Sequence, residues 1–183
     1  MVIKIFKEEK AYKICIFGDT GVGKTTLTQR YLTNIFHLNI KNTMGAQLFV
    51  KFVEVKNIRI TLQIWDFGGD DIFRFLLPAY SYGSSGGIFM FDLTNNSTLE
   101  KIEDWLATFK ESLTKDESEI PIIMVGGKLD LQDKRTISTK YARKFLKLHN
   151  LDRYIECSGK TGQNVELVFE KLIQKILKNS GLI

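Results

Sequence analysis

Gly18-Asp19-Thr20-Gly21-Val22-Gly23-Lys24-Thr25 follows the apolar run Ile14-Cys15-Ile16-Phe17 and precedes a helix-compatible segment from Thr26 to Thr33. Strand, glycine loop and helix in that order decide the fold. The pattern G-x-x-x-x-G-K-[ST] is met at every position. Its glycines let the backbone curl so that successive N–H groups point inward at phosphate oxygens. Lys24 is placed to reach β- and γ-phosphates, and the Thr25 hydroxyl to ligate Mg²⁺. The following helix aims its positive end at the same anion. A chance glycine turn between a strand and a helix is the plainer alternative, and the context argues against it. Asp19, Thr20, Gly21, Val22, Gly23, Lys24, Thr25 and Thr26 are therefore expected around the phosphates of a nucleoside di- or triphosphate.

Outward from the loop, periodicity is lost from Asn34 to Met44, and strand alternation resumes from Gln47 to Val55, with Leu48, Val50, Phe52 and Glu54 on one face. Lys56-Asn57 makes a tight turn into a second strand, Ile58 to Trp65, completing a hairpin. Ile88 to Phe91 and Ile120 to Val125 are continuous apolar runs suited to strands buried on both faces. Ser97 and Glu100 form a capping box opening a helix to Leu113. Further helices are expected from Ser138 to Asn150 and over Val165 to Ile176, with a short strand, Tyr154 to Cys157, between them. Alternating strands and helices predict an α/β, P-loop NTPase-type three-layer sandwich. Its sheet, of about six strands, is mostly parallel with one antiparallel edge hairpin and helices on both faces. One domain over residues 1–183 is expected, with residues 1–10 extending the first strand or fraying.

Composition is ordinary for a globular chain: 44% hydrophobic, 26% charged, net charge +5. Two cysteines, Cys15 and Cys157, argue against a disulfide scaffold and for a reducing, cytoplasmic setting. Charges interrupt the start before a signal peptide can form, and no run is long enough to span a membrane. Val2 in place of glycine, and an end without cysteine, predict no lipid anchor. Lys140, Arg143, Lys144 and Lys147 line one helical face that reads as solvated, with at most weak contact to an anionic membrane surface. There is no nucleic-acid signal, and a monomer is expected.

Ligands in such sheets gather outside the carboxyl ends of the strands. Asp66, in Trp65-Asp66-Phe67-Gly68-Gly69, can hold Mg²⁺ there, directly or through water, and Gly69 can bring its N–H to a γ-phosphate. Asp130, in Gly126-Gly127-Lys128-Leu129-Asp130, can accept both hydrogens of guanine's N1–H and exocyclic amine; adenine would leave that carboxylate unpaired. Lys128 can lay its stem over the base. Ser158-Gly159-Lys160 offers a backbone N–H to the guanine oxygen.

These motifs, with Phe73-Arg74 through Tyr80 and Gly87-Ile88-Phe89-Met90-Phe91-Asp92-Leu93-Thr94, resemble a small GTPase of the Ras superfamily, Rab-like, over residues 10–178. The Gly68-Gly69 pair resembles the Arf-like branch. The resemblance implies a GTP/GDP switch that hydrolyses GTP and meets effectors, exchange factors and activating proteins through segments 36–46 and 66–83. It makes Thr43 the residue that ligates Mg²⁺ and senses the γ-phosphate, and Phe36 the aromatic edge against guanine. It also marks departures. Asp70 stands where most members carry the glutamine that orients the attacking water, which predicts slow hydrolysis. Gly127 stands where the family has asparagine. The catalytic set implied is Lys24, Thr43, Gly69 and Asp70. A GTP-binding scaffold with negligible hydrolysis is the alternative, and a phosphotransferase acting on a small acceptor is a weaker third.

Overall fold

The computed structural model describes residues 6–38, 40–111, 113 and 120–183. At its centre β1 (Glu8–Phe17) lies between β3 (Ile58–Phe67) and β4 (Gly86–Asp92); β2 (Ala46–Val55) flanks β3, and β5 (Ile122–Gly127) and β6 (Arg153–Glu156) continue beyond β4. All neighbours are parallel except β2 and β3, which pair antiparallel from Ala46↔Phe67 to Val55↔Ile58. Lys56 and Asn57 close that hairpin with φ of 48° and 65°, the two positive values that match the twist of paired strands.

On one face, α1 (Lys24–Thr33) and α7 (Val165–Asn179) pack Leu27, Tyr31, Phe169 and Leu172 against Ile14, Ile16, Ile60 and Leu62. The other face carries α2 (Asp71–Arg74), α3 (Leu77–Ser81), α4 (Asn96–Glu100), α5 (Ile102–Lys110) and α6 (Thr139–Leu148). Its core is aromatic, with Phe17 and Phe109 stacked 4.4 Å apart and Trp105 wholly buried. Burying each such side chain is worth about 1.5–3 kcal/mol, so every strand of the parallel part is held from both sides. Their carboxyl ends open at a common edge.

Two sequence expectations change, the capping box at Ser97 and the helix end at Leu113, and two points the sequence left open are decided. The N-terminal charges do not fray from residue 8 onward: Glu8, Glu9 and Lys10 pair with Ile58, Arg59 and Ile60, and residues 1–5 lie outside the described residues. Ser97 is not a cap. The Asn95 side chain accepts the Ser97 N–H at 3.1 Å, starting α4 two residues earlier than the capping box implied. Asn is as good an N-cap as Ser, and here it precedes the turn. The helix is then interrupted at Lys101 (ψ 7°), and α5 ends at Lys110, short of Leu113. Leu48, Val50 and Phe52 do share a face of β2, but the exposed one; Phe49, Val53 and Val55 face the core.

Candidate functional site

The turn out of β1 is made by glycines because the chain demands it there. Gly18, Gly21 and Gly23 have φ of 137°, 76° and 106°, and a Cβ on Gly18 would strike the Met90 carbonyl oxygen. Gly23 occupies the N-cap of α1 with no side chain capping it. The first-turn N–H groups of that helix are thereby left for an anion. Lys24, 5% exposed, curls back to donate to the Gly18 and Asp19 carbonyls, both at 2.7 Å. Burial pushes its ammonium down to about 8, against the pull of Asp66 and Asp19. A phosphate would compensate that buried charge.

Three expected metal ligands meet beside it. The Thr25 hydroxyl donates to Asp66 Oδ2 at 2.5 Å and lies 2.9 Å from the Thr43 hydroxyl, itself 3.4 Å from the same oxygen. Asp66 is fully buried, and its Oδ1 has no hydrogen-bond partner among the described residues. Burial pushes its carboxyl up to about 6, although Thr25, Lys24 and Thr43 work to lower it. Two hydroxyls and a carboxylate with an orphaned oxygen are a hard, oxygen-only donor set, which suits Mg²⁺ sharing its shell with phosphates and water.

A cavity of about 180 Å³ joins this cluster to the loop, lined by segments 40–44 and 67–70 and by Phe73. Gly68 and Gly69 are there because nothing larger fits. A Cβ on Gly68 would come 2.4 Å from the Thr43 carbonyl oxygen; one on Gly69 would come 2.2 Å from the backbone of Asp19 and Thr20. The Gly68 N–H also donates to the Gly45 carbonyl at 2.8 Å. Asp70 lines the cavity, but its carboxylate caps α2, accepting the Ile72 N–H at 3.2 Å.

The residues expected to meet a base, the base end of the site, assemble at the tips of β4, β5 and β6. Asp130 Oδ1 accepts the buried Ser158 hydroxyl at 2.6 Å, and Ser158 Oγ accepts the Thr161 N–H. Lys128, at φ 63°, pairs with Asp92 at 2.7 Å, which fixes the direction of its stem. Gly159 lies against α1, where a Cβ would meet the Thr26 methyl at 2.7 Å. Lys160 is exposed, and Phe36 is half-buried in the segment after α1, away from the phosphate cavity.

The expected residues thus fall into a phosphate end and a base end. Asp19 differs in that its side chain is bound by Trp105 and Lys101, which leaves only its backbone for the loop. Asp92 was missed. Its signal, an Asx turn to Thr94 at a buried strand's carboxyl end, is readable in Asp92-Leu93-Thr94.

The Ras family model matches residues 13–178. The chain is 35% identical to the Ras-related protein Rab-18-B of Danio rerio over 170 residues, covering 93% of this chain and 81% of that protein. It is 33% identical to Rab-11A of Dictyostelium discoideum over 165 residues (90% and 75%), and 34% identical to YPTC6 of Chlamydomonas reinhardtii over 165 (90% and 74%).

Proposed function

Because this chain belongs to the Ras family and is Rab-like, a GTP-binding switch, we propose that it holds GTP and GDP through the two ends just described and hydrolyses GTP slowly. The observation that carries the reading is the convergence of Thr25, Thr43 and Asp66 beside an uncapped helix N-terminus and a buried lysine. Mg²⁺ bound by Thr25 and Thr43, and by Asp66 through water, would neutralise charge on the β- and γ-phosphates. Lys24 supplies the fixed positive charge, and the loop and Gly69 supply N–H donors. Thr43 and Gly69 sit on the two segments that a γ-phosphate would order and hydrolysis would release. Asp130, Lys128 and the Ser158–Lys160 turn select guanine, and Phe36 closes its edge.

Slow turnover follows from Asp70. Its carboxylate is engaged by the Ile72 N–H, and a negative charge there opposes the γ-phosphate. The same observation favours the second reading, a GTP-bound scaffold with negligible hydrolysis. Around the cavity, segments 36–46 and 66–83 present Met44, Ile72 and Phe75 to solvent, and Leu48 and Phe52 follow on β2. Effectors, exchange factors and activating proteins would dock there.

Single-turnover GTP hydrolysis, with Mg²⁺ and after chelation, tests the reading in wild type and Asp70→Gln. Slow Mg²⁺-dependent hydrolysis that rises about tenfold or more in the variant supports a braked switch. Inert wild type and variant that still bind GTP would support the scaffold. Fast wild-type hydrolysis, not improved by glutamine, would remove the role given to Asp70.

A further inference from the structure

Met90, 2% exposed in β4, touches both ends of the site without belonging to either. Its carbonyl oxygen abuts Gly18. Its terminal methyl lies 3.4 Å from where a Cβ on Gly23 would stand. The same methyl lies 2.5 Å from where a Cβ on Gly127 would stand, at the end of β5, one residue before Lys128. A Cβ on Gly127 would also come 2.8 Å from the Val22 carbonyl oxygen. One thioether therefore fills the space between the strand end that leads to base recognition and the loop that takes the phosphates.

We infer that Met90 is a positioning residue for nucleotide retention: its methyl wedges the phosphate loop against the end of β5, across a gap that Gly127 leaves without a side chain. The inference rests on the nucleotide-binding reading above. A thioether suits such a gap because it is flexible and polarisable. Donors aimed at a ligand must be held to within about 0.5 Å to be useful, and Gly21 and Gly23 give the loop backbone freedom that only packing restrains. Removing the methyl opens a void on one side of that backbone, and the lost contacts let the loop relax. The effect acts on the phosphates. Asp130 and Ser158 keep their geometry, so recognition of the base is untouched.

The test is the release rate of bound GDP, and of inosine diphosphate, which lacks the 2-amino group, from the full chain with Mg²⁺. Met90→Ala is expected to speed release of both by about tenfold, with their ratio unchanged. Met90→Leu should return release to near the wild-type rate. Gly127→Ala should speed release in the wild-type background, where its methyl meets both the Met90 methyl and the Val22 carbonyl oxygen, and speed it by a smaller factor in the Met90→Ala background, where only the carbonyl contact remains. Wild-type release rates in Met90→Ala, a change in the GDP-to-inosine-diphosphate ratio, or effects that simply multiply would overturn the inference. If Met90→Ala does not fold, Met90→Leu with and without Gly127→Ala reads the same coupling, and multiplying effects there also overturn it. A wild type that binds no GDP would instead remove the switch reading itself.

Discussion

The Asp19 carboxylate accepts the Trp105 indole N–H at 2.8 Å, joining the phosphate loop to a helix 86 positions further along the chain. Its other oxygen faces Lys101 Nζ at 2.8 Å, at the break between α4 and α5. The Arg74 guanidinium of α2 lies 4.2 Å over the same indole. One buried ring thus touches the phosphate loop and the segment after Gly69 together.

Trp105→Phe removes the donor and keeps most of the packing. Asp19 retains Lys101, so the expected loss is about 1–2 kcal/mol of stability rather than the cost of a bare buried charge. Urea unfolding at saturating GDP checks it: the midpoint should fall with the slope unchanged. An unmoved midpoint would mean that Lys101 alone holds the loop.

Gly69→Ala pushes a methyl into the backbone of Asp19 and Thr20, which cannot give way as a side chain could. The segment carrying Gly69 must lift from the phosphate loop, while the base end is untouched. GDP affinity should change by less than about threefold, and single-turnover hydrolysis should fall about tenfold or more. Equal losses in both would mean that the glycine serves the loop's own structure.

Which parts of this were legible follows from how local their causes are. The phosphate loop, Asp66 and Lys128–Asp130 are short patterns at the ends of buried strands, and the rule for parallel sheets points to those ends. Thr43 lies in an aperiodic segment, and only resemblance singled it out; the structure seats it 2.9 Å from Thr25. Alternation in β2 identified the residues sharing a face but not the buried face, because apolar residues lie on both. The bond from Trp105 to Asp19 and the fit of Gly68 and Gly69 against two loops are spatial, and no spacing in the chain encodes them.

Glu156, the last residue of β6, gathers Arg135 at 2.9 and 2.6 Å, Thr139 at 2.8 Å and the Tyr154 hydroxyl at 2.8 Å, two residues before Ser158. Burial alone would raise its carboxyl; hydrogen bonds from Arg135, Tyr154 and Thr139 overcome that and hold it below the usual 4.5. A folded-state value depressed in this way adds stability that is complete above the unfolded value and lost as pH falls through the folded one. Glu156→Gln should therefore be less stable by about 1–3 kcal/mol at pH 7. That difference should shrink below pH 4.5 as the wild type loses its advantage. Denaturant midpoints across that range check the sign, and a constant difference would show that the charge of Glu156 is not its source.

The proposed recognition of guanine by Asp130 can be measured directly. Protein stripped of nucleotide by chelation would be titrated with GDP and with ADP in Mg²⁺, for wild type and Asp130→Ala. Two hydrogen bonds to a carboxylate, at about 1.5–3 kcal/mol each, predict that GDP binds wild type at least about 10²–10⁴-fold more tightly than ADP. In the variant the two should bind within about tenfold of each other. Equal affinities for GDP and ADP in the wild type would contradict the account.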